Sequence, residues 1–199
     1  MVLLGEGRVG KTSLLVRFVS NAFDESQAPT VRATYLSKTL RLENDARATL
    51  NVWDTAGQER FHALGPIYYR DADAAVLVYD ITDADSFARA KAWVKELRRI
   101  AGGEISLAVC ANKSDLEKSR KVSTEEGETY ARSIGASFHS TSAKTDKGVE
   151  QAFMSVARAL DAKREKMPAG AAKRNERQRS LKIAEEETKP SGGVFGDCC

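Results

Sequence analysis

The sequence of 199 residues predicts an α/β fold, in which helices cover both faces of a mostly parallel sheet of about six strands. Segments with strand patterning alternate along the chain with segments of helical patterning. Two runs, residues 74–80 and 105–111, are continuously apolar, which is typical of strands buried on both faces. The alternating segments 34–42 and 47–53 flank the polar turn "ENDA" and predict a β-hairpin. The hairpin places one antiparallel strand at the edge of the sheet.

The remaining elements follow in chain order. Residues 1–4, "MVLL", form a short apolar run that ends at a glycine and predicts a strand, and residues 11–20 have apolar side chains at helical spacing. A helical stripe then precedes Gly102 and Gly103, which predict its end. This stripe consists of Phe87, Ala90, Val94, Leu97 and Ala101.

The next helix is predicted to begin at a capping box formed by Ser123 and Glu126 and to end at Gly135. Residues 136–141, "ASFHST", predict a short strand. The last helical stripe consists of Val149, Phe153, Val156 and Leu160.

The chain is predicted to form one globular domain over residues 1–162 and a flexible tail over residues 163–199. From Lys163 onward the apolar periodicity ends, and charged residues, Gly, Ala and Pro dominate. The three cysteines, Cys110 and the two terminal residues, do not make a disulfide framework, which fits a reducing cytosol.

Composition excludes several classes of protein. Lys and Arg exceed Asp and Glu by 31 to 28, and this net charge of +3 is too small to indicate binding to nucleic acid. No run approaches the roughly 18 apolar residues of a transmembrane helix. Only three apolar residues follow Met1 before "GEG", so no signal peptide is expected.

Residues 5–12, "GEGRVGKT", fit the phosphate-binding pattern G-x-x-x-x-G-K-[ST], directly after a predicted strand and at the start of a predicted helix. The backbone N–H groups of such a loop surround a phosphate, and the helix N-terminus adds positive potential. Lys11 would reach the β- and γ-phosphates, and the Thr12 hydroxyl would bind Mg²⁺. The alternative is a strand-to-helix turn that uses glycine by chance. The predicted nucleotide contacts here are Gly5, Glu6, Gly7, Arg8, Val9, Gly10, Lys11, Thr12 and Ser13.

Two further loops follow predicted strands and indicate guanine. In "NKSD", residues 112–115, the Asp115 carboxylate can accept hydrogen bonds from N1–H and the 2-amino group of guanine, which adenine lacks. Asn112 can contact the other edge of the ring, and the Lys113 stem can lie along its face. In "TSAK", residues 141–144, the Ala143 N–H could bind the guanine O6. The predicted contacts are Asn112, Lys113, Asp115, Ser142, Ala143 and Lys144.

Either loop alone would indicate no more than a polar turn after a strand. Their occurrence in this order after a phosphate-binding loop indicates a guanine site.

Residues 53–60, "WDTAGQER", add a third group of candidates. Asp54 ends a strand and would hold Mg²⁺ through water, the Gly57 amide could sense the γ-phosphate, and Gln58 could orient the attacking water.

The four motifs, in this order and spacing, resemble those of the Ras superfamily of small GTPases. The run "ERFHALGPIYYRDADAAVLVYDIT" is similar to the Rab family, and within it to the early-endosomal branch. The resemblance covers about residues 2–162 and implies the small G domain of the P-loop NTPases. It also implies Mg²⁺-dependent hydrolysis of GTP to GDP, with Gln58 and Lys11 as catalytic residues. Intrinsic turnover should be slow, and a GTPase-activating protein should raise it by about 10³–10⁵-fold.

The resemblance assigns residues that the patterns alone do not. Thr30 would bind Mg²⁺ and the γ-phosphate from the first switch loop. Phe23 would stack edgewise on guanine, the alternative being a hydrophobic staple at a helix end. Tyr35, Trp53 and Tyr68 would form the aromatic triad that meets effectors, the alternative being ordinary sheet aromatics.

The terminal residues Cys198 and Cys199 resemble a double geranylgeranylation site, since two lipid chains give stable membrane attachment. Residues 163–182 contain eight basic and two acidic residues, which could favour anionic lipid, although residues 185–187 are acidic. The alternatives are a solvated disordered tail and a thiol pair that binds metal. The resemblance places the protein in the cytosol and on the cytoplasmic face of membranes, mainly endosomal ones.

The partners that the resemblance implies are an exchange factor, a GTPase-activating protein, a GDP-dissociation inhibitor, a prenyltransferase with its escort protein, and effectors. The resemblance also implies a monomer.

Three features of the sequence depart from the family pattern. The first strand begins almost at Met1, whereas members of the family carry several more residues before it, and this fits either a truncated or a natively short N-terminus. Arg8 and Arg32 stand where most members have small residues. Arg8 could touch phosphate or a partner, or point to solvent.

Two other functions compete with this interpretation. A binding module locked on GTP is disfavoured by Gln58 and by the room that Gly7 leaves for hydrolysis. A P-loop kinase or ATPase is disfavoured because "NKSD" and "TSAK" do not suit adenine.

Overall fold

The computed structural model describes residues 1–31, 33–43, 45–55, 72–101 and 104–166. Six strands form one sheet in the order β2-β3-β1-β4-β5-β6. The strands are β1 Val2–Leu4, β2 Thr34–Arg41, β3 Arg47–Asp54, β4 Ala74–Asp80, β5 Ser106–Asn112 and β6 Ser137–Ser140. The β2–β3 pair is antiparallel, and the four other neighbouring pairs are parallel. This confirms the predicted α/β class and the antiparallel edge strand.

The described residues also form four α-helices and one 3-10 helix. In chain order, they are α1 Lys11–Ser20, α2 Ala84–Ala101, the 3-10 helix Ser114–Ser119, α3 Thr124–Ser133 and α4 Val149–Glu165. The predicted cap of α3 is present, since the Ser123 hydroxyl accepts a hydrogen bond of 3.0 Å from the Glu126 N–H. None of the described helices is long and apolar enough to cross a membrane.

The sheet separates two apolar clusters, because alternate residues of a strand point to opposite faces. On one face, Leu3 packs with α1 and α4, where the Phe18 and Phe153 rings stack with centroids 4.0 Å apart. On the other face, Val2 and Leu4 pack with α2 and α3. The three residues of β1 are therefore buried on both sides at the centre of the sheet, which explains why so short a strand persists.

Several element ends differ slightly from the sequence prediction. Strand β5 runs one residue further than predicted, to Asn112, because Asn112 is the register partner of Asp80 on β4. A first compact unit spans Met1–Asp161. Residues 162–166 belong to a second unit and carry exposed side chains, and helix α4 ends within it at Glu165.

The parallel strands direct their carboxyl ends to one edge of the sheet. The loop after β1, the last residue of β3, the loop after β5 and the loop after β6 all lie there. Open α/β sheets bind ligands at this edge. Described residues of all four sequence motifs thus lie at this edge of the sheet.

Candidate functional site

A cavity of about 730 Å³ opens at this edge of the sheet. Its wall contains fourteen of the residues predicted to bind nucleotide: Glu6, Gly7, Arg8, Gly10, Lys11, Thr12, Ser13, Phe23, Thr30, Asn112, Lys113, Asp115, Ala143 and Lys144. Six other described residues, which were not predicted, also line it: Asp24, Glu25, Gln27, Ala28, Pro29 and Leu116. The volume and the mixed lining suit a small-molecule ligand.

Four other predicted contacts are buried beside the wall rather than in it: Gly5, Val9, Asp54 and Ser142. Asp54 and Ser142 each hydrogen-bond to a residue of the wall. Six other residues named in the sequence analysis lie outside the described residues. Gly57, Gln58 and Tyr68 belong to the segment 56–71, and the others are Arg32, Cys198 and Cys199.

The phosphate end of the cavity is formed by the loop between β1 and α1. Gly10 has a left-handed backbone with φ of 93°, and a β-carbon there would collide with the amide nitrogen of Asn112. Arg8 also has a positive φ, of 66°, and its side chain is exposed at the cavity. Gly10 is the N-cap of α1 and makes no side-chain capping bond, and no acidic residue occupies the first turn. The N–H groups of this turn are thus available to an anion.

Lys11 supplies a buried cation beneath this loop. Its Nζ donates hydrogen bonds of 2.9 Å to the carbonyl oxygens of Gly5 and Glu6. Burial lowers the pKa of the Lys11 ammonium to about 8, and the negative charges of Asp54 and Glu6 oppose that shift. An anion such as phosphate would offset the desolvation of this ammonium.

The structure brings together the three residues predicted to bind Mg²⁺. The Thr12 hydroxyl lies 2.6 Å from the Thr30 hydroxyl and donates to Asp54 Oδ2 at 2.5 Å. The other oxygen, Asp54 Oδ1, is buried and has no hydrogen-bond partner within the described residues. Burial raises the pKa of the Asp54 carboxyl, while the Thr12 hydrogen bond and the Lys11 charge oppose this shift.

These observations fit a magnesium ion. Hydroxyl and carboxylate oxygens are the ligands that Mg²⁺ prefers, and the ion keeps several waters and phosphate oxygens of its own. An orphaned carboxylate oxygen is costly unless a cation or donor satisfies it. No group of three His, Cys, Asp or Glu in the described part of the chain could hold a metal by itself.

At the other end of the cavity, hydrogen bonds join the "NKSD" and "TSAK" loops to each other. The Ser142 hydroxyl donates to Asp115 Oδ1 at 2.5 Å. Asn112 Nδ2 donates to the Val9 carbonyl at 2.8 Å, and Asn112 Oδ1 accepts from the Thr141 hydroxyl at 3.4 Å. The Asn112 amide thus ties both base-side loops to the phosphate loop, in addition to lining the cavity.

Three side chains that support the cavity were missed by the sequence analysis. Asp80 forms an ion pair of 2.6 Å with Lys113, and Arg89 forms one of 2.9 Å with Glu6. Arg17 contacts the backbone of the "TSAK" loop. Only Asp80 had a sequence signal, since it stands at the carboxyl end of the predicted buried strand 74–80.

Two aromatic residues of the predicted effector face lie side by side on the hairpin. Tyr35 and Trp53 are register partners across β2 and β3, with ring centroids 5.1 Å apart. Their side chains are 48% and 38% exposed, so the pair forms an apolar surface on the sheet. Val31, which precedes the hairpin, is 66% exposed.

Comparison with known proteins gives a consistent picture. The family described as "Ras family" matches residues 1–162. "Ras-related protein Rab-21" of Rattus norvegicus is 46% identical over 203 residues, which cover 100% of this chain and 90% of that protein. The protein of the same name from Homo sapiens is 54% identical over 160 residues, which cover 80% of this chain and 71% of that protein.

Proposed function

This chain belongs to the Ras family, as a Rab small GTPase of the early-endosomal branch, and we propose that its cavity holds GTP or GDP together with Mg²⁺. Rab proteins are guanine-nucleotide switches that regulate membrane traffic, and GTP hydrolysis is general to the family. The observation that carries the proposal is the convergence of Thr12, Thr30 and Asp54 from three separate segments.

The phosphates bind at the loop of residues 5–12. Lys11 exchanges its bonds to the carbonyls of Gly5 and Glu6 for bonds to phosphate oxygens, and the loop amides and the first turn of α1 surround them. Thr12 and Thr30 would hold the magnesium ion through their hydroxyls, and Asp54 would hold it through water. When bound, Mg²⁺ neutralises charge on the phosphates.

Guanine binds between Phe23 and the "NKSD" and "TSAK" loops. Asp115 accepts hydrogen bonds from N1–H and the 2-amino group, and the buried Ser142 hydroxyl fixes the position of the carboxylate. The Ala143 N–H donates to O6. Adenine presents an acceptor at N1 and an amino group at C6, so both contacts would be lost.

Hydrolysis requires an aligned water more than covalent chemistry. Gln58 orients this water, and Lys11 and the loop amides stabilise the charge that develops on the γ-phosphate. The chain's own groups leave intrinsic turnover slow. A GTPase-activating protein accelerates the step.

The nucleotide is connected to the effector surface through β2 and β3. Asp54 is the register partner of Thr34, and the next pair outward is Trp53 with Tyr35. Thr30 precedes this hairpin by four residues. Loss of the γ-phosphate would release Thr30 and alter the segment leading to Tyr35, so effectors bind the GTP form.

The remaining assignments rest on the family and on the tail sequence. Cys198 and Cys199 each carry a geranylgeranyl chain, and a prenyltransferase with its escort protein attaches them. A GDP-dissociation inhibitor withdraws the GDP form from the membrane, and an exchange factor reloads it with GTP. The protein cycles between the cytosol and endosomal membranes.

Single-turnover hydrolysis tests this function. Full-length protein loaded with GTP should release phosphate slowly in Mg²⁺ and more slowly still in EDTA. Gln58→Leu should keep GTP binding and lower both intrinsic and stimulated hydrolysis, because leucine cannot orient water. Unchanged stimulated hydrolysis at saturating activating protein would refute the role of Gln58. Tight GTP binding without any phosphate release by the wild type would favour a locked binding module.

A further inference from the structure

Arg17 joins two walls of the purine end of the cavity without lining it. It lies in the last turn of α1 and is half-buried. Its Nε donates to the Ala143 carbonyl at 2.9 Å, and its Nη2 donates to the Lys144 carbonyl at 3.2 Å. The same guanidinium therefore holds two consecutive carbonyls of the "TSAK" loop, although the residues are 126 and 127 positions apart in the chain.

The third nitrogen of Arg17 faces the segment that leads to Phe23. Nη1 donates to the Asn21 backbone carbonyl at 2.9 Å and to its side-chain Oδ1 at 3.0 Å. Asn21 ends α1 in a left-handed conformation with φ of 54°, and its N–H bonds to the Arg17 carbonyl at 2.9 Å. The guanidinium carbon also lies 6.0 Å from the centroid of the Phe23 ring. Arg17 thus fixes the exit of the chain from α1 toward Phe23.

Fixing these carbonyls orients the loop. Peptide groups are planar, so a bond to the Ala143 carbonyl and one to the Lys144 carbonyl restrain two successive peptide planes. On its other side, the loop is held by Ser142, whose N–H bonds to the Lys147 carbonyl at 2.9 Å and whose hydroxyl bonds to Asp115. The Ala143 N–H, which lies between these two sets of restraints, has little freedom to move away from a purine.

We propose that Arg17 is a positioning residue for guanine, which holds the Ala143 N–H against O6 and the Phe23 side of the pocket at a fixed distance from it. The proposal rests on the proposed function of the cavity. Arg17 makes no contact with the nucleotide and acts through Ala143 and Phe23. Its effect should appear in the lifetime of the bound nucleotide and in the contribution of O6 to binding.

The requirement is for an arginine and not for a cation in general. A positive charge in the last turn of a helix is favourable whatever its shape. The observed contacts instead use Nε, Nη1 and Nη2 in three directions, which the compact lysine ammonium cannot reproduce. Arg17→Lys therefore keeps the positive charge and removes the fork, that is, the three guanidinium nitrogens that donate these hydrogen bonds.

The test compares four full-length proteins: wild type, Arg17→Gln, Arg17→Lys and the control Arg98→Lys. Arg98 also binds a backbone carbonyl between elements, that of Ile134 at 2.7 Å, but it does not line the cavity or contact its loops. Each protein is loaded with mant-GDP, and its release is followed after adding excess GDP. Competition then gives the affinity for GDP relative to 6-thioguanosine diphosphate, in which sulfur replaces O6 and accepts hydrogen bonds weakly.

Arg17→Gln should release mant-GDP about tenfold faster than wild type, equivalent to about 1.4 kcal/mol. Arg17→Lys should also release it faster, and Arg98→Lys should match wild type. The preference for GDP over the 6-thio nucleotide should shrink in both Arg17 variants, because the Ala143 N–H no longer distinguishes oxygen from sulfur. If Arg17→Gln does not fold, Arg17→Lys carries the same test.

Three results would overturn the proposal. Release of mant-GDP at the wild-type rate would show that the fork does not hold the nucleotide. An effect in Arg17→Gln that is absent from Arg17→Lys would show that only charge matters. An unchanged preference between the two nucleotides would reduce Arg17 to a structural role. Failure of the proposed function itself would be distinguishable, since the wild type would then fail to prefer GDP over ADP.

Discussion

Substitution of Asp115 by asparagine tests the purine contact most sharply, because the structure dictates how the new side chain would orient. The Ser142 hydroxyl is fully buried and donates to Asp115 Oδ1 at 2.5 Å. In the variant this hydroxyl needs an acceptor, so the amide oxygen should take the Oδ1 position. The amide NH₂ group would then occupy the position of the second carboxylate oxygen, facing the 2-substituent of the purine.

Guanine has an amino group at that position, and two donors would face each other. The variant would lose charge-assisted hydrogen bonds to N1–H and the 2-amino group, each contributing about 1.5–3 kcal/mol. The affinity for GDP should therefore fall by roughly 10²–10⁴-fold. Xanthine has a carbonyl at that position and can accept from the new NH₂ group, so affinity for xanthosine diphosphate should rise.

The assay is displacement of mant-GDP by GDP, xanthosine diphosphate and ADP from each protein. Glu117→Gln is a matched control, because it makes the same chemical change on the same 3-10 helix at a residue outside the cavity wall. The control should behave as wild type. If Asp115→Asn binds GDP as tightly as wild type does, the assignment of Asp115 to guanine is wrong.

Three further predictions concern charge, packing and the tail. The affinity for GDP should fall about threefold between pH 7.5 and 8.5, because above the Lys11 pKa of about 8 the free protein must take up a proton to bind phosphate. Calorimetry in buffers of different ionisation enthalpy at pH 8.5 would detect this uptake, and binding without it would contradict the prediction. Gly127→Ala should lower the free energy of unfolding by about 1–3 kcal/mol, because its β-carbon would collide with the Tyr79 hydroxyl and the Phe138 ring. An unchanged midpoint in chemical denaturation would argue against that clash. Deleting Cys198 and Cys199 should abolish membrane association and leave nucleotide binding intact, since each buried CH₂ of a lipid chain contributes about 0.8 kcal/mol. Cell fractionation with mass spectrometry of the C-terminal peptide checks this, and a deletion variant that still pellets with membranes would disprove it.

The sheet could be predicted from the sequence because its signals are local. Continuous apolar runs identified β4 and β5, and alternation about a polar turn identified the hairpin β2–β3. Element ends were less predictable, since they depend on pairing between strands. Asn112 reads as part of a loop motif, yet it is the last residue of β5 because Asp80 lies opposite it.

The cavity was predictable where its residues follow strands in recognisable motifs, and unpredictable where side chains reach across the fold. Thr30 has no pattern of its own and was found only through the family resemblance, although its hydroxyl lies 2.6 Å from that of Thr12. Arg17 and Arg89 carry no motif either. Their partners are brought to them by helix packing, which no local pattern encodes.

This cavity should select guanine nucleotides over adenine nucleotides. The most direct measurement is a titration of the full-length, nucleotide-free protein with mant-GTP and with mant-ATP in Mg²⁺. We expect saturable binding of one mant-GTP per chain and no saturable binding of mant-ATP, because adenine cannot donate to Asp115. Equal affinity for both nucleotides, or no binding of mant-GTP, would contradict it.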